Sequence, residues 1–243
     1  MKLNIKGRNR LKFSVADPPI ISLDGLYTLL ALLVLSMLAV CFHLIRIFFN
    51  SPVDFSLDWN LFLSWIPLIV AFLANWVSKR FKRSHLAIII LSIFWLAFFP
   101  NAPYMVTDLS HLSDDLNRDL TWHDNIMLFY YAQVSLFNGL ISLYWIHQCW
   151  NRLFSKRITL GLLIMSFPLA GLGVYLGRVR RLNSWDILHN PQLITEFLLA
   201  SITDRTAWLL SFEIGILLAI LYAVVWSIIR FRIRINKRLI EKP

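Results

Sequence analysis

Side chains of the types that do chemistry crowd into two stretches of this chain, Pro100 to Asn125 and Gly177 to Thr206. The first holds Asp108, His111, Asp114, Asp115, Asp119, His123 and Asp124, an oxygen and imidazole set able to hold a divalent cation or to move protons. Asp108 and His111, three residues apart, share a face if that stretch is helical. The spacing matches no ligand motif, so no metal is assigned, and hydrated loop carboxylates are the preferred reading. Thr121 with Asp124 forms a weak capping box, which gives Asp124 a structural reading as well. The second stretch opens Gly177-Arg178-Val179-Arg180-Arg181-Leu182-Asn183-Ser184-Trp185-Asp186. Guanidinium forks fit carboxylates and phosphates, so lipid headgroups, phosphate-bearing substrates and internal pairs with Asp108 or Asp186 are all open to these arginines. The catalytic candidates are therefore Asp108, His111 and Asp124, and the binding candidates are Asn101, Tyr104, Arg178, Arg181, Asn183, Trp185 and Asp186.

What positions these stretches is a membrane. Of the 243 residues 58% are hydrophobic, and the mean hydropathy is +0.62, well above a soluble domain. Six apolar runs are each long enough to cross a hydrocarbon core as helix: Leu26 to Phe49, Trp59 to Val77, Leu86 to Val106, Ile126 to Trp150, Ile158 to Leu176 and Ala207 to Ile229. The fold class expected is all-α and polytopic, with a basic arm over residues 1–22, a six-helix domain over 23–230 and a basic tail over 231–243. An even number of spans puts both termini on one side. Five Lys and Arg precede the first span, four lie in Ser78 to His85, three in Asn151 to Arg157 and six from Arg230 onward, all on that side. The positive-inside rule then makes both termini cytoplasmic and both chemistry-bearing stretches external. It also accounts for the net charge of +10 without a nucleic-acid partner. The first span lacks a cleavage site and stays in the mature protein, and Cys41 and Cys149 read as buried thiols with no metal or redox spacing.

Several spans carry internal features. The third reaches Phe98-Phe99-Pro100-Asn101-Ala102-Pro103-Tyr104, and proline biases its predecessor away from helical angles. Either the helix breaks at Phe99, with Phe99 and Ala102 in extended or turn conformations and the freed backbone satisfied by Asn101, Tyr104 or Asp108, or a kinked helix continues to Val106. In the fourth, Asp124, Tyr131, Ser135, Asn138 and Ser142 fall on one inward face, as helix glue in preference to a substrate path. In the fifth, Ser166, Ala170, Gly173 and Gly177 make a close-packing face. Asn190-Pro191 opens a short helix, Pro191 to Ile202, suited to the interface. His43, Arg46 and His147 can snorkel toward span ends, whereas Glu213 inside the sixth span needs a partner, for which Arg46 or Arg178 is expected.

Pro100 to Tyr104 with Thr107-Asp108-Leu109, then Trp122-x-Asp124, Asn138-Gly139-Leu140, and Gly177-Arg178 with Asn183-Ser184-Trp185-Asp186 resemble a family of bacterial multi-pass membrane proteins known only as a domain of unknown function. The resemblance implies a bacterial plasma-membrane location and an emphasis on the outer face, and supplies no catalytic role or cofactor. Three classes of function stay open. One is an outer-face enzyme on a lipid or lipid-linked anionic substrate, with Arg178 and Arg181 on the anion, Asp108 or Asp124 as base or metal ligand and His111 as proton shuttle. The others are a transporter or channel, oligomeric if six spans are too few, and a non-catalytic partner in a membrane complex.

Overall fold

In the computed structural model, residues 23–49, 56–81, 84–109, 121–182 and 186–240 are described. His111, Asn183 and Trp185 lie outside them, as do the other loop carboxylates Asp114, Asp115 and Asp119 and the arm over 1–22. Among the described residues the elements are all helices: α1 (Leu23–Phe48), α2 (Ser56–Arg80), α3 (His85–Phe98), α4 (Asn101–Thr107), α5 (Thr121–Leu153), α6 (Lys156–Arg178), α7 (Asp186–His189), α8 (Pro191–Ser201) and α9 (Arg205–Ile240). Six are long and apolar enough to cross a membrane when α3 and α4 are taken as one span. The chain is an all-α polytopic membrane protein.

Helix α5 is the axis, packed most extensively on α2 and also on α1 and α4. Residues of its polar stripe make hydrogen bonds in these contacts. Asn138 donates to Ser64 Oγ at 3.0 Å, Ser135 to the Ala102 carbonyl at 2.9 Å, and Ser142 Oγ accepts from the Trp95 indole at 3.0 Å. Ser135, Asn138 and Ser142 are fully buried, as glue requires. Around them Trp95 stacks on Phe99 with ring centroids 4.4 Å apart, and Ala71, Ala74, Leu143, Ile146, Ala170 and Val174 fill the centre.

The third span pauses at its first proline and resumes. Phe99 (φ −56°, ψ −36°) and Pro100 (φ −58°, ψ −23°) form a turn with helical backbone angles between α3 and α4, as in the turn alternative expected at Phe99, whereas Ala102 lies inside α4 and is neither extended nor in a turn. Packing overrides the pre-proline bias: Phe99 is fully buried on Trp95, and Ala102 is pressed on α5 at Gly139, where an added Cβ would fall 2.5 Å from the Ala102 Cβ. On the opposite side a Cβ at Gly173 would meet the Pro100 ring at 2.2 Å. The Asn101 side chain donates to the Phe98 carbonyl at 2.9 Å, satisfying an acceptor near the interruption. α4 is thus a short wedge held between two glycines on α5 and α6.

α9 meets α6 on another side, at Gly171, which is not one of the residues of the Ser166, Ala170, Gly173 and Gly177 face. A Cβ at Gly171 would lie 2.6 Å from Ser211 Cα, 2.7 Å from the Leu210 carbonyl and 2.8 Å from the Ser211 carbonyl, all backbone atoms that cannot step aside. Gly171→Ala should therefore push the helices apart and cost about 1–3 kcal/mol, read as an earlier unfolding transition in lipid nanodiscs. Gly161→Ala, with nothing within 4 Å of its Cβ, is the control expected to leave that transition in place.

Candidate functional site

The end of the bundle where α1, α4 and α6 finish and α2, α5 and α9 begin holds the pairs His43–Asp58, Arg46–Asp124, Arg178–Asp108 and Arg180–Asp204. Both arginine and carboxylate candidates are there, and they meet. Arg178, last residue of α6, places Nη1 2.7 Å from Asp108 Oδ1, Nη2 3.2 Å from the Thr107 carbonyl, and its guanidinium over the Tyr104 ring at 5.8 Å. Asp108 caps the far end of α4 and is buried. The two stretches singled out in the sequence are therefore joined through this pair, and the internal-pairing alternative for Arg178 holds.

The other two arginines part ways. Arg180 turns onto Asp204 at 3.1 Å and onto the Tyr175 hydroxyl at 2.8 Å, and stacks over Phe197 of α8 at 5.5 Å, which clamps the short helix to the start of α9. Hydrogen bonds from the Tyr175 hydroxyl and the Thr206 N–H hold the Asp204 carboxyl below the ordinary carboxylate range. This contact is therefore intact at neutral pH and is lost as pH falls through that lowered value. Arg181 instead is exposed, sits in the left-handed region at φ 56°, and has no partner among the described residues. Its conformation lets the Leu182 N–H reach back to the Leu176 carbonyl at 3.0 Å.

Asp124 does not join Asp108. It faces Arg46 of α1, with Nε 2.7 Å from Oδ1; the side chain of Thr121, with which a capping box was expected, lies outside the described ones. One turn earlier on α1 lies a unit not anticipated as a site. His43 Nδ1 is 2.8 Å from Asp58 Oδ2, and the Tyr131 hydroxyl donates to Asp58 Oδ1. The His43 side chain is 4% exposed and that of Asp58 33% exposed. Alongside, His123 bonds the Phe42 carbonyl at 2.9 Å. A signal existed: His43 and Arg46 share a face of α1, and Tyr131 lies seven residues from Asp124 on α5, so two facing stripes carry complementary groups.

Helix α4 is the wall between the two units. Its Met105 packs with Leu57, Leu61, Met127 and Tyr131, while Tyr104 and Asp108 turn to Arg178. Asn101 is half-buried beside Ser135, and Asp186 opens α7, half-buried. Among the described residues no three His, Cys, Asp or Glu side chains group as metal ligands. Cys149 is buried and Cys41 exposed, correcting the expectation that both are buried; the exposed thiol points out of α1, away from the core. Glu213 is exposed on α9, and the two arginines expected to pair with it are engaged by Asp124 and Asp108.

The model of a family described as protein of unknown function (DUF1361) matches residues 59–221. The chain belongs to this family. The DUF1361 match takes in α4, the Arg178–Asp108 pair, Tyr131 and Asp204, and begins one residue after Asp58, so that His43 and Arg46 precede it. No curated protein and no solved structure matches the chain.

Proposed function

We propose that this DUF1361 protein is an enzyme of the bacterial plasma membrane, both termini cytoplasmic, acting at the outer face on a lipid or lipid-linked anionic substrate. The basic residues before α1, between α2 and α3, between α5 and α6, and beyond Ile229 support this orientation. The observation that carries the reading is the arrangement around α4: a carboxylate–imidazole unit on one side and an arginine-rich turn on the other. Asp108 and Asp124 are each engaged by an arginine. The base role passes to His43, whose ring is oriented by Asp58 in the way a dyad prepares an imidazole for proton transfer. Arg178 and Arg180 shape the turn, and of its three arginines Arg181, with no partner among the described residues, is the one to meet an anionic headgroup or phosphate. No metal or organic cofactor enters this reading.

A second reading, transport, is favoured by the polar levels along the α2–α5 seam, from Asp58–Tyr131 through Ser64–Asn138 to Asn75–Arg152. It stands second because Leu68, Ala71, Leu143 and Ile146, all fully buried, close that seam with an apolar layer below Asn138.

The deciding experiment is complementation of a deletion strain with Arg181→Gly, with lipid profiling. A non-glycine residue at positive φ costs about 1 kcal/mol, so glycine at this position should unfold no earlier than the parent. Loss of complementation with accumulation of an anionic lipid is the expected result. Full complementation by this intact protein would remove arginine from the site and the reading with it.

A further inference from the structure

We propose that two copies of this chain associate side by side in the membrane through the outward face of α9, with Glu213 of each facing Glu213 of the other. α9 shares with α1 the smallest buried portion of any span, 22%. Trp208 lies near its start and Trp226 well before its end, 18 residues or about 27 Å apart at the helical rise, so that the two bracket a hydrocarbon thickness. Glu213 lies five residues inside Trp208, about 7.5 Å into that zone, and is exposed with no partner among the described residues. Arg46 and Arg178 are taken by Asp124 and Asp108, and Arg205 is two turns away on the same helix. A carboxyl group at that depth in lipid is costly and calls for a partner.

The residues around it indicate which partner. Leu209, Glu213, Ile216, Ile220, Ala223 and Ser227 are all exposed and recur at intervals of four, three, four, three and four, the spacing of a helix-pair seam. Ala223 and Ser227 are small enough for close approach. A carboxyl group carrying its proton is donor and acceptor at once, so it is complementary to itself across a two-fold axis along the membrane normal; the Ser227 hydroxyl has the same property. A different protein would have to place a matching hydrogen-bonding side chain at the same depth, whereas a second copy brings one by symmetry. The seam ends where Arg230, stacked over Trp226 at 4.1 Å, reaches the interface.

The test uses the purified full chain, with Cys41→Ala as background, in phosphatidylethanolamine–phosphatidylglycerol vesicles diluted with lipid over a thousandfold range. Copper-phenanthroline should cross-link Ala223→Cys at least tenfold faster than Ile93→Cys, which is exposed on α3. The dimer midpoint should shift about 5- to 30-fold toward dissociation in Glu213→Leu and stay within threefold in Glu213→Gln. Ala223→Trp, a change at an exposed position, should produce the same dissociation without burdening the fold. Equal cross-linking at the two cysteines, a protein monomeric throughout the dilution, or a Glu213→Leu variant that dimerises like the parent would each overturn the proposal.

Discussion

Glutamine in place of His43 is expected to slow turnover about 10²- to 10⁴-fold, the range contributed by a positioned acid–base group, while the protein unfolds close to where its parent does. The glutamine amide can still donate one hydrogen bond toward Asp58 Oδ2, so the α1–α2 contact survives; what disappears is a ring able to gain and lose a proton. When His43 is neutral, donation from Nδ1 to Asp58 leaves Nε2 as the basic nitrogen, and the other carboxylate oxygen is held by Tyr131, so the dyad is fixed in rotation as well as in distance. Tyr131→Phe loosens that second tether and should cost about tenfold or less, since imidazole and carboxylate remain. The rate to follow is consumption, after re-expression of each variant, of the lipid that accumulates in the deletion strain. A His43→Gln protein that consumes it at the parental rate would take the base away from this dyad.

The membrane fold was legible because its cause is one-dimensional. Six apolar runs, their lengths and the placement of lysine and arginine are properties of the chain read in order, and helices long and apolar enough to cross stand where those runs stand. The α5 stripe and the α6 small-residue face were legible for a similar reason, since the helical period places Ser135, Asn138 and Ser142, or Ala170 and Gly173, on one side before any neighbour is known. Partner choice was not. Nothing in the period of α1 says that His43 meets Asp58 while Arg46 meets Asp124, because that depends on how α1, α2 and α5 are rotated about their axes. The Glu213 expectation failed on the same point: its two candidate arginines had nearer carboxylates. At Phe99 a local rule met a tertiary one, and the glycines on α5 and α6, by admitting α4 so closely, kept the chain helical through its prolines.

Arg178→Ala should destabilise the protein by about 3 kcal/mol, the low end of what removing one partner of a buried ion pair costs. The low end applies because the two side chains are unequally covered: Asp108 is 8% exposed and Arg178 25%, so water already offsets part of the guanidinium's loss but little of the carboxylate's. The substitution also removes the bond to the Thr107 carbonyl and the contact over Tyr104, and so unfastens the end of α4 from the end of α6. Arg178→Lys keeps the charge and loses the fork, and belongs between parent and alanine variant. The informative protein is Asp108→Asn combined with Arg178→Ala, in which no charge is left to bury; it should recover about 1–2 kcal/mol of the loss, read from unfolding in nanodiscs as a double-mutant cycle. If the pair only fastens helices, that double variant regains function as it regains stability. If the arginine-rich turn also presents Arg181 to an anionic substrate, stability returns and turnover does not, since the segment that aims Arg181 is the one Arg178 holds down. A double variant no more stable than Arg178→Ala alone would show that Asp108 is not the carboxylate whose charge Arg178 answers.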